Sequence, residues 1–269
     1  MVKPKKKLGQ HFLKDQNVAN NIIDCLSDAA KELPLLEIGP GTGVLTKRLL
    51  PEWKEGFKMV EVDGESVAYL LKTLKVPASQ VIEADFLQMN LKELYPAKFN
   101  IIGNFPYNIS SQIYFKVLEY RDQVDEVVGM IQKEVAERIA ASPGGRTGGI
   151  LSILIQAFYD VKYEFTVPPE VFDPPPRVQS GVLTLKRNNT EKLDCDEKLF
   201  FRVVKQGFHN RRKTLRNALK SLGFDKELLQ DDIFGQRAEQ LSVAEFVWIT
   251  NHVSSGVVSQ KPLVQSTVK

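Results

Sequence analysis

Apolar positions from Leu35 to about Lys186 fall in short runs separated by longer amphipathic stretches, the rhythm of strands joined by helical crossovers. The runs Leu35–Ile38, Lys58–Val62, Gln80–Ala84, Asn100–Gly103 and Glu126–Ile131 predict strands. Their near-continuous apolar character suits a parallel sheet covered on both faces. Tyr159–Val167 and Gln179–Lys186 predict an antiparallel pair at its edge. An amphipathic helix is expected from Asn17 to Ala30, and another at Gln112–Tyr120 with Ser110 as its N-cap. The glycines at 144, 145, 148 and 149 predict a flexible loop, and Pro174-Pro175-Pro176 an extended segment. The fold class is α/β.

Beyond Lys186 the pattern changes to helices only, after the polar link Arg187-Asn188-Asn189-Thr190. The expected organisation is therefore a first domain over 1–186, a small all-α domain over 187–253 and a mobile tail over 254–269. No run is apolar and long enough to predict a membrane span. The lysines before Gly9 are not followed by the apolar segment of a signal peptide, so a cytoplasmic location is expected. Cys25 and Cys195 lie far apart without ligand spacing, which predicts reduced, largely buried side chains and no metal site.

Charge is unevenly placed. Residues 1–14 carry five lysines and no acid, whereas 15–185 hold 16 basic against 23 acidic residues. From Arg202 to Lys220 there are seven basic residues and again no acid. Such a run alone is as well explained by a solvated helix face as by a polyanion site.

Candidate chemistry gathers at the ends of the predicted strands. Glu37-Ile38-Gly39-Pro40-Gly41-Thr42-Gly43 is a strand running into a glycine turn, where the backbone can approach a ligand closely. Its glycines alternate, with Val44 where a dinucleotide fingerprint wants its last glycine, which disfavours a nicotinamide oxidoreductase. The spacing resembles the first motif of Rossmann-like methyltransferases. Glu61 ends the next strand, placed to accept from both hydroxyls of a ribose, and Asp85 ends the third, placed to accept from an adenine amino group. Gly103-Asn104-Phe105-Pro106-Tyr107 follows the fourth. The lone pair of adenine N6 is delocalised into the ring. Asn104 and a backbone carbonyl at Phe105 or Pro106 can each accept an N6 hydrogen and so localise it. Pro106 fixes the turn, and Tyr107 offers a stacking face for an extruded base.

Together with Leu8-Gly9-Gln10-His11-Phe12-Leu13 and Val171-Phe172-Asp173-Pro174-Pro175-Pro176-Arg177-Val178, these motifs resemble the rRNA adenine N6-dimethyltransferase family, bacterial small-subunit type, from Gly9 to Val253. The resemblance implies a Rossmann-like class I methyltransferase domain and S-adenosyl-L-methionine as cofactor. It implies cofactor contacts at His11, Leu13, Gly39, Gly41, Glu61, Asp85 and Asn104, and catalytic roles for Asn104, Pro106, Tyr107 and Phe172, with Phe172 facing Tyr107 across the target base. Many relatives have Asn at position 11 and Leu at 105 where this chain has His11 and Phe105.

The implied reaction is dimethylation of two adjacent adenosines in a hairpin loop near the 3′ end of small-subunit rRNA, by a monomer without membrane attachment. The partners are that rRNA and the small ribosomal subunit or its precursor. Lys5, Lys6, Lys7, Arg211, Arg212, Lys213 and Arg216 are then expected on RNA phosphates. The alternatives are an RNA-binding ribosome assembly factor and a resistance-type methyltransferase of large-subunit rRNA. His209 and His252 are expected to be structural, and Glu134 with Arg138 a surface ion pair.

Overall fold

The structure is a computed structural model, and it describes residues 2–5, 8–145, 147–210 and 212–253. The expected tail after Val253 and Arg146 of the glycine loop lie outside the described residues. The chain divides into two compact units, one formed by 1–141 and 155–191, the other by 142–154 and 192 onward.

The first unit is built on nine strands, β1 (Phe12–Leu13), β2 (Leu35–Ile38), β3 (Phe57–Glu61), β4 (Val81–Glu83), β5 (Phe99–Asn104), β6 (Val124–Gln132), β7 (Tyr159–Val167), β8 (Phe172–Asp173) and β9 (Ser180–Arg187). Seven form one sheet in the order β4-β3-β2-β5-β6-β9-β7. The first five are mutually parallel, and β9 and β7 close the edge antiparallel. All four residues of β2 and the first five of β5 are buried, which is why these central strands are apolar without alternation. Edge strand β7 carries Asp160, Lys162 and Glu164, charges that oppose pairing with another chain. The remaining strands, β1 and β8, pair antiparallel with Leu13 opposite Phe172.

Helices α1 (Gln16–Ile23), α2 (Thr46–Trp53), α3 (Gly64–Lys72), α4 (Leu91–Leu94), α5 (Ser110–Glu119) and α6 (Lys133–Ile139) connect the strands. The expected helix from Asn17 to Ala30 stops at Ile23. Ser27 donates from its amide and its hydroxyl to the carboxylate of Glu126, at 2.9 and 2.5 Å, and this draws the chain out of helical geometry. Helix α1 starts instead from Asp15, whose carboxylate accepts the amides of Asn17 and Val18. Ser110 is the first residue of α5 and not its cap; its hydroxyl donates back to the Tyr107 carbonyl.

The boundary expected at Lys186 falls later. Arg187 donates to the carbonyls of Arg121, Phe158, Asn188 and Thr190, and these bonds keep 187–191 with the sheet.

The second unit takes in 142–154, with the start of α7 (Ile150–Gln156), and the helices α8 (Glu197–His209), α9 (Leu215–Ala218) and α10 (Val243–Asn251). Phe200, Val203, Val204 and Phe208 of α8 form its core with Phe246 and Ile249 of α10. Each such burial contributes about 1.5–3 kcal/mol before entropy is counted. Ser242 and Glu245 cap α10 reciprocally.

Candidate active site

Strand β2 delivers the chain into Gly39, Gly41 and Gly43, all with left-handed backbones (φ 66, 54 and 73°). At Gly41 the requirement is twofold, since a Cβ there would also lie 2.9 Å from the ring of Phe12. The amide of Gly41 donates to Glu61 Oε2 (3.0 Å), and that of Asp63 to Glu61 Oε1 (2.9 Å). Burial raises the pKa of Glu61, and the amides of Asp63 and Gly41 pull it down. Below the turn, Glu37 is 1% exposed and accepts the Thr46 hydroxyl at 2.7 Å. Burial pushes its pKa up to about 8, the Thr46 bond opposing the shift and the nearby Glu61 reinforcing it.

Asp85 follows β4 and accepts the Leu87 amide with one oxygen at 2.9 Å. The loop after it is tied down by Lys116 of α5, whose Nζ donates to the carbonyls of Leu87 and Met89 at 2.9 and 2.5 Å.

On the other side, Asn104 ends β5. Its Nδ2 donates to the His11 carbonyl at 3.0 Å, which orients Oδ1 as an acceptor with no protein donor among the described residues. The Pro106 carbonyl accepts the Ile109 amide (3.2 Å), leaving the carbonyl of Phe105 as the second acceptor without a protein donor among the described residues. Phe105 itself is 1% exposed. It fills a slot between two strands, where a Cβ on Gly103 or Gly129 would come within 3.0 Å of its ring. Tyr107 is half-buried, its hydroxyl 2.5 Å from Ser180 Oγ and its ring 5.5 Å from that of His11.

Residues 8–12 cross between these halves as a strap. Lys5 Nζ bonds to Asp63 (2.5 Å) and Glu65 (3.1 Å), Gln10 Nε2 donates to Asp63 at 3.3 Å, and His11 Nδ1 lies 2.8 Å from the Pro174 carbonyl. Although burial opposes it, the bonds from Lys5 and Gln10 hold the Asp63 carboxyl below its usual range. One cavity results, lined by Phe12, Gly39, Gly41, Glu61, Val62 and Asp85 at one end and by His11, Asn104, Pro106 and Tyr107 at the other.

A carboxylate seated on a glycine turn beside two aimed amide-hydrogen acceptors suits a methyl donor meeting an exocyclic amine, and a model of the ribosomal RNA adenine dimethylase family matches residues 1–254. The chain belongs to the ribosomal RNA adenine dimethylase family. It is 58% identical to ribosomal RNA small subunit methyltransferase A of Cytophaga hutchinsonii, over 94% of this chain and 98% of that one. It is 56% identical to the protein of the same name from Bacteroides thetaiotaomicron, over 96% of each. Among solved structures it resembles a dimethyladenosine transferase from Plasmodium falciparum (TM-score 0.73, 25% identity, 88% of this chain and 95% of that one). The 23S rRNA methyltransferase ErmE shares the fold (TM-score 0.72, 21% identity, 90% of this chain and 99% of that one).

The residues of this dimethylase fit S-adenosylmethionine. A Cβ on Gly39 would point into the cavity with only the Pro106 ring, at 4.0 Å, in reach, so the glycine turn leaves room for a ligand. Val62, 52% exposed, adds an apolar wall, and the carboxylates of Glu61 and Asp85 line the same cavity as hydrogen-bond acceptors.

Two expected site residues are placed differently. Leu13 and Phe172 are 3% and 1% exposed and belong to the hydrophobic core, and neither side chain lines the cavity. The reason is the two-residue pairing of β1 with β8: side chains alternate along a strand, so Phe12 faces the cavity while Leu13 and its register partner Phe172 turn inward. The ring beside Tyr107 is that of His11. Phe12 is thus a lining residue that motif reading missed and that alternation along 12–13 could have signalled.

Of the residues expected on RNA, Lys6, Lys7 and Arg211 lie outside the described residues. Lys5 is not a free cation but is engaged by Asp63 and Glu65. Arg216 donates from Nε to the Leu229 carbonyl at 2.6 Å, whereas Arg212 and Lys213 are exposed. The pair Glu134 and Arg138 forms an exposed ion pair at 2.6 Å.

Proposed function

We propose that this S-adenosylmethionine-dependent rRNA adenine dimethyltransferase of the small ribosomal subunit acts on N6 of two adjacent adenosines in a hairpin loop near the 3′ end of that rRNA. The observation that carries the reading is the orientation of Asn104. The bond from Nδ2 to the His11 carbonyl fixes which end of the amide is which and leaves Oδ1 to accept, as an N6 amine requires. The cofactor supplies an electrophilic methyl group on a sulfonium.

Everything else is the work of the chain. Glu61 and Asp85 hold the nucleoside end of the cofactor. Asn104 Oδ1 and the Phe105 carbonyl accept the two N6 hydrogens and draw the lone pair out of the ring, an interaction that strengthens toward the transition state. Tyr107 stacks on the extruded base, which offsets part of the few kcal/mol that unstacking costs. The surplus proton leaves N6 for solvent after transfer, since the carboxylates lining the cavity are those of the cofactor end. Loop adenosines fit the site because they can be splayed out of a helix without breaking pairs.

Arg212 and Lys213 are assigned to phosphate contacts, and the enzyme to the cytoplasm as a monomer. Among the described residues no helix is long and apolar enough to cross a membrane.

The test is incubation with labelled S-adenosylmethionine and small subunits lacking the modification, followed by mapping of the label. Dimethyladenosine at two neighbouring loop positions is expected. Label on the small subunit outside a loop, or no label there while large-subunit rRNA offered in a parallel incubation is labelled, overturns the assignment.

A further inference from the structure

Tyr107 is tethered from below. Its hydroxyl meets Ser180 Oγ at 2.5 Å, and Ser180 is fully buried as the first residue of β9. In register, Ser180 lies between Gln132 of β6 and Val167 of β7, so its hydroxyl is fixed by strands on both sides. Asn104, three residues before Tyr107, is fixed separately by the end of β5 and the His11 carbonyl. The stacking plane and the hydrogen-bond acceptor therefore have separate hydrogen-bond anchors, although His11 also touches both.

That separation matters because the reaction is performed twice on one nitrogen. An unmodified adenine presents two N6 hydrogens to Asn104 Oδ1 and the Phe105 carbonyl. After one transfer, N6 carries a methyl group and a single hydrogen. One acceptor then has no donor, and the base keeps its place by the remaining hydrogen bond and by stacking. Any slack in the stacking ring falls harder on the second transfer than on the first.

We propose that Ser180 is a positioning residue that holds the Tyr107 ring for the second methyl transfer and so determines that the product is dimethyl- rather than monomethyladenosine. The proposal rests on the assignment of Asn104, Phe105 and Tyr107 to the target base. In each transfer the N6 lone pair forms the new N–C bond, the C–S bond breaks with its electrons left on sulfur, and N6 then releases one proton to solvent. The balance is the same both times, and only the number of hydrogens left to guide the base differs.

The experiment follows both transfers in single turnovers on unmethylated small subunits, with S-adenosylmethionine saturating, and compares wild type with Ser180→Ala, Ser180→Thr, Tyr107→Phe and the double variant Ser180→Ala/Tyr107→Phe. Tyr107→Phe breaks the same bond from the cavity side without disturbing the core, so a poorly folded Ser180→Ala leaves the test intact. The second transfer should slow about tenfold in either single variant, the scale of one lost hydrogen bond, while the first slows markedly less and monomethyladenosine accumulates. The double variant should be no worse than the singles, and Ser180→Thr should restore dimethylation. Equal slowing of both transfers, or an unchanged ratio of mono- to dimethyl product with only a lower Tm, overturns the role of Ser180. A wild type that forms no dimethyladenosine at all instead refutes the assignment beneath it.

Discussion

The cofactor end of the cavity and its acceptor end are shaped by different parts of the chain. Around Glu61 the work is done by backbone, with amides of Gly41 and Asp63 on one carboxylate and left-handed glycines at 39 and 41. Around Asn104 it is done by long-range contacts, from the His11 carbonyl to Asn104, from Ser180 to Tyr107 and from the Pro174 carbonyl to His11. A site built from backbone near one turn keeps its shape with few outside supports. One built from side chains can be retuned by residues far away in sequence.

The contrast predicts separable losses. Asn104→Ala should give the largest, lowering single-turnover methyl transfer by about 10²–10³-fold, the scale for removing one group aimed at the transition state. Calorimetry should show S-adenosylmethionine affinity falling far less; equal losses in both would merge the two ends into one unit. Glu61→Ala should do the reverse, weakening the cofactor by roughly 10- to 100-fold as charge-assisted bonds are lost, with transfer at saturating cofactor largely kept. Cofactor affinity unchanged in a folded Glu61→Ala protein removes the ribose role.

A smaller effect concerns Glu37. Its folded pKa of about 8 lies above the ordinary value of 4.5, so between those values the folded state binds more protons than the unfolded one, and stability falls as pH rises. Glu37→Gln cannot titrate. Its Tm relative to wild type should therefore climb between pH 5 and pH 8, by on the order of ten degrees, and level off above. A Tm difference that is flat across this range means that Glu37 does not carry a raised pKa. The smallest change is expected from Arg212→Gln with Lys213→Gln, which should flatten the dependence of log K for RNA on log salt by about 0.7 per lost phosphate contact and leave cofactor binding untouched. An unaltered slope returns these residues to an ordinary solvated surface.

The same contrast explains what could be read from the sequence. The glycine turn, Glu61, Asp85 and the run from Asn104 to Tyr107 are local motifs at strand ends, and the mostly parallel sheet follows from apolar runs that stay buried on both faces. Hidden were the features made by partners far apart. Glu126 lies 99 residues from the Ser27 that it pulls out of α1. Asp63 captures a lysine 58 residues earlier that charge counting had given to RNA. Arg187 binds carbonyls back to Arg121 and so moves the boundary between the units. The inward turn of the Leu13 and Phe172 side chains was hidden as well, because a motif specifies which residues recur, while a two-residue strand decides which of them face inward.

The slot occupied by Phe105 also constrains how this protein can change over generations. A methyl group on Gly129 would stand 2.5 Å from the Phe105 ring and 2.6 Å from the Tyr114 hydroxyl, both of them side chains that a second substitution could shrink. One on Gly103 would stand 2.5 Å from the Ile38 carbonyl, which no change of side chain can move. Position 103 is therefore closed to every lineage with this backbone. Position 129 is open only to lineages in which both 105 and 114 have already given way, so the order in which mutations arrive decides whether alanine at 129 is ever accessible.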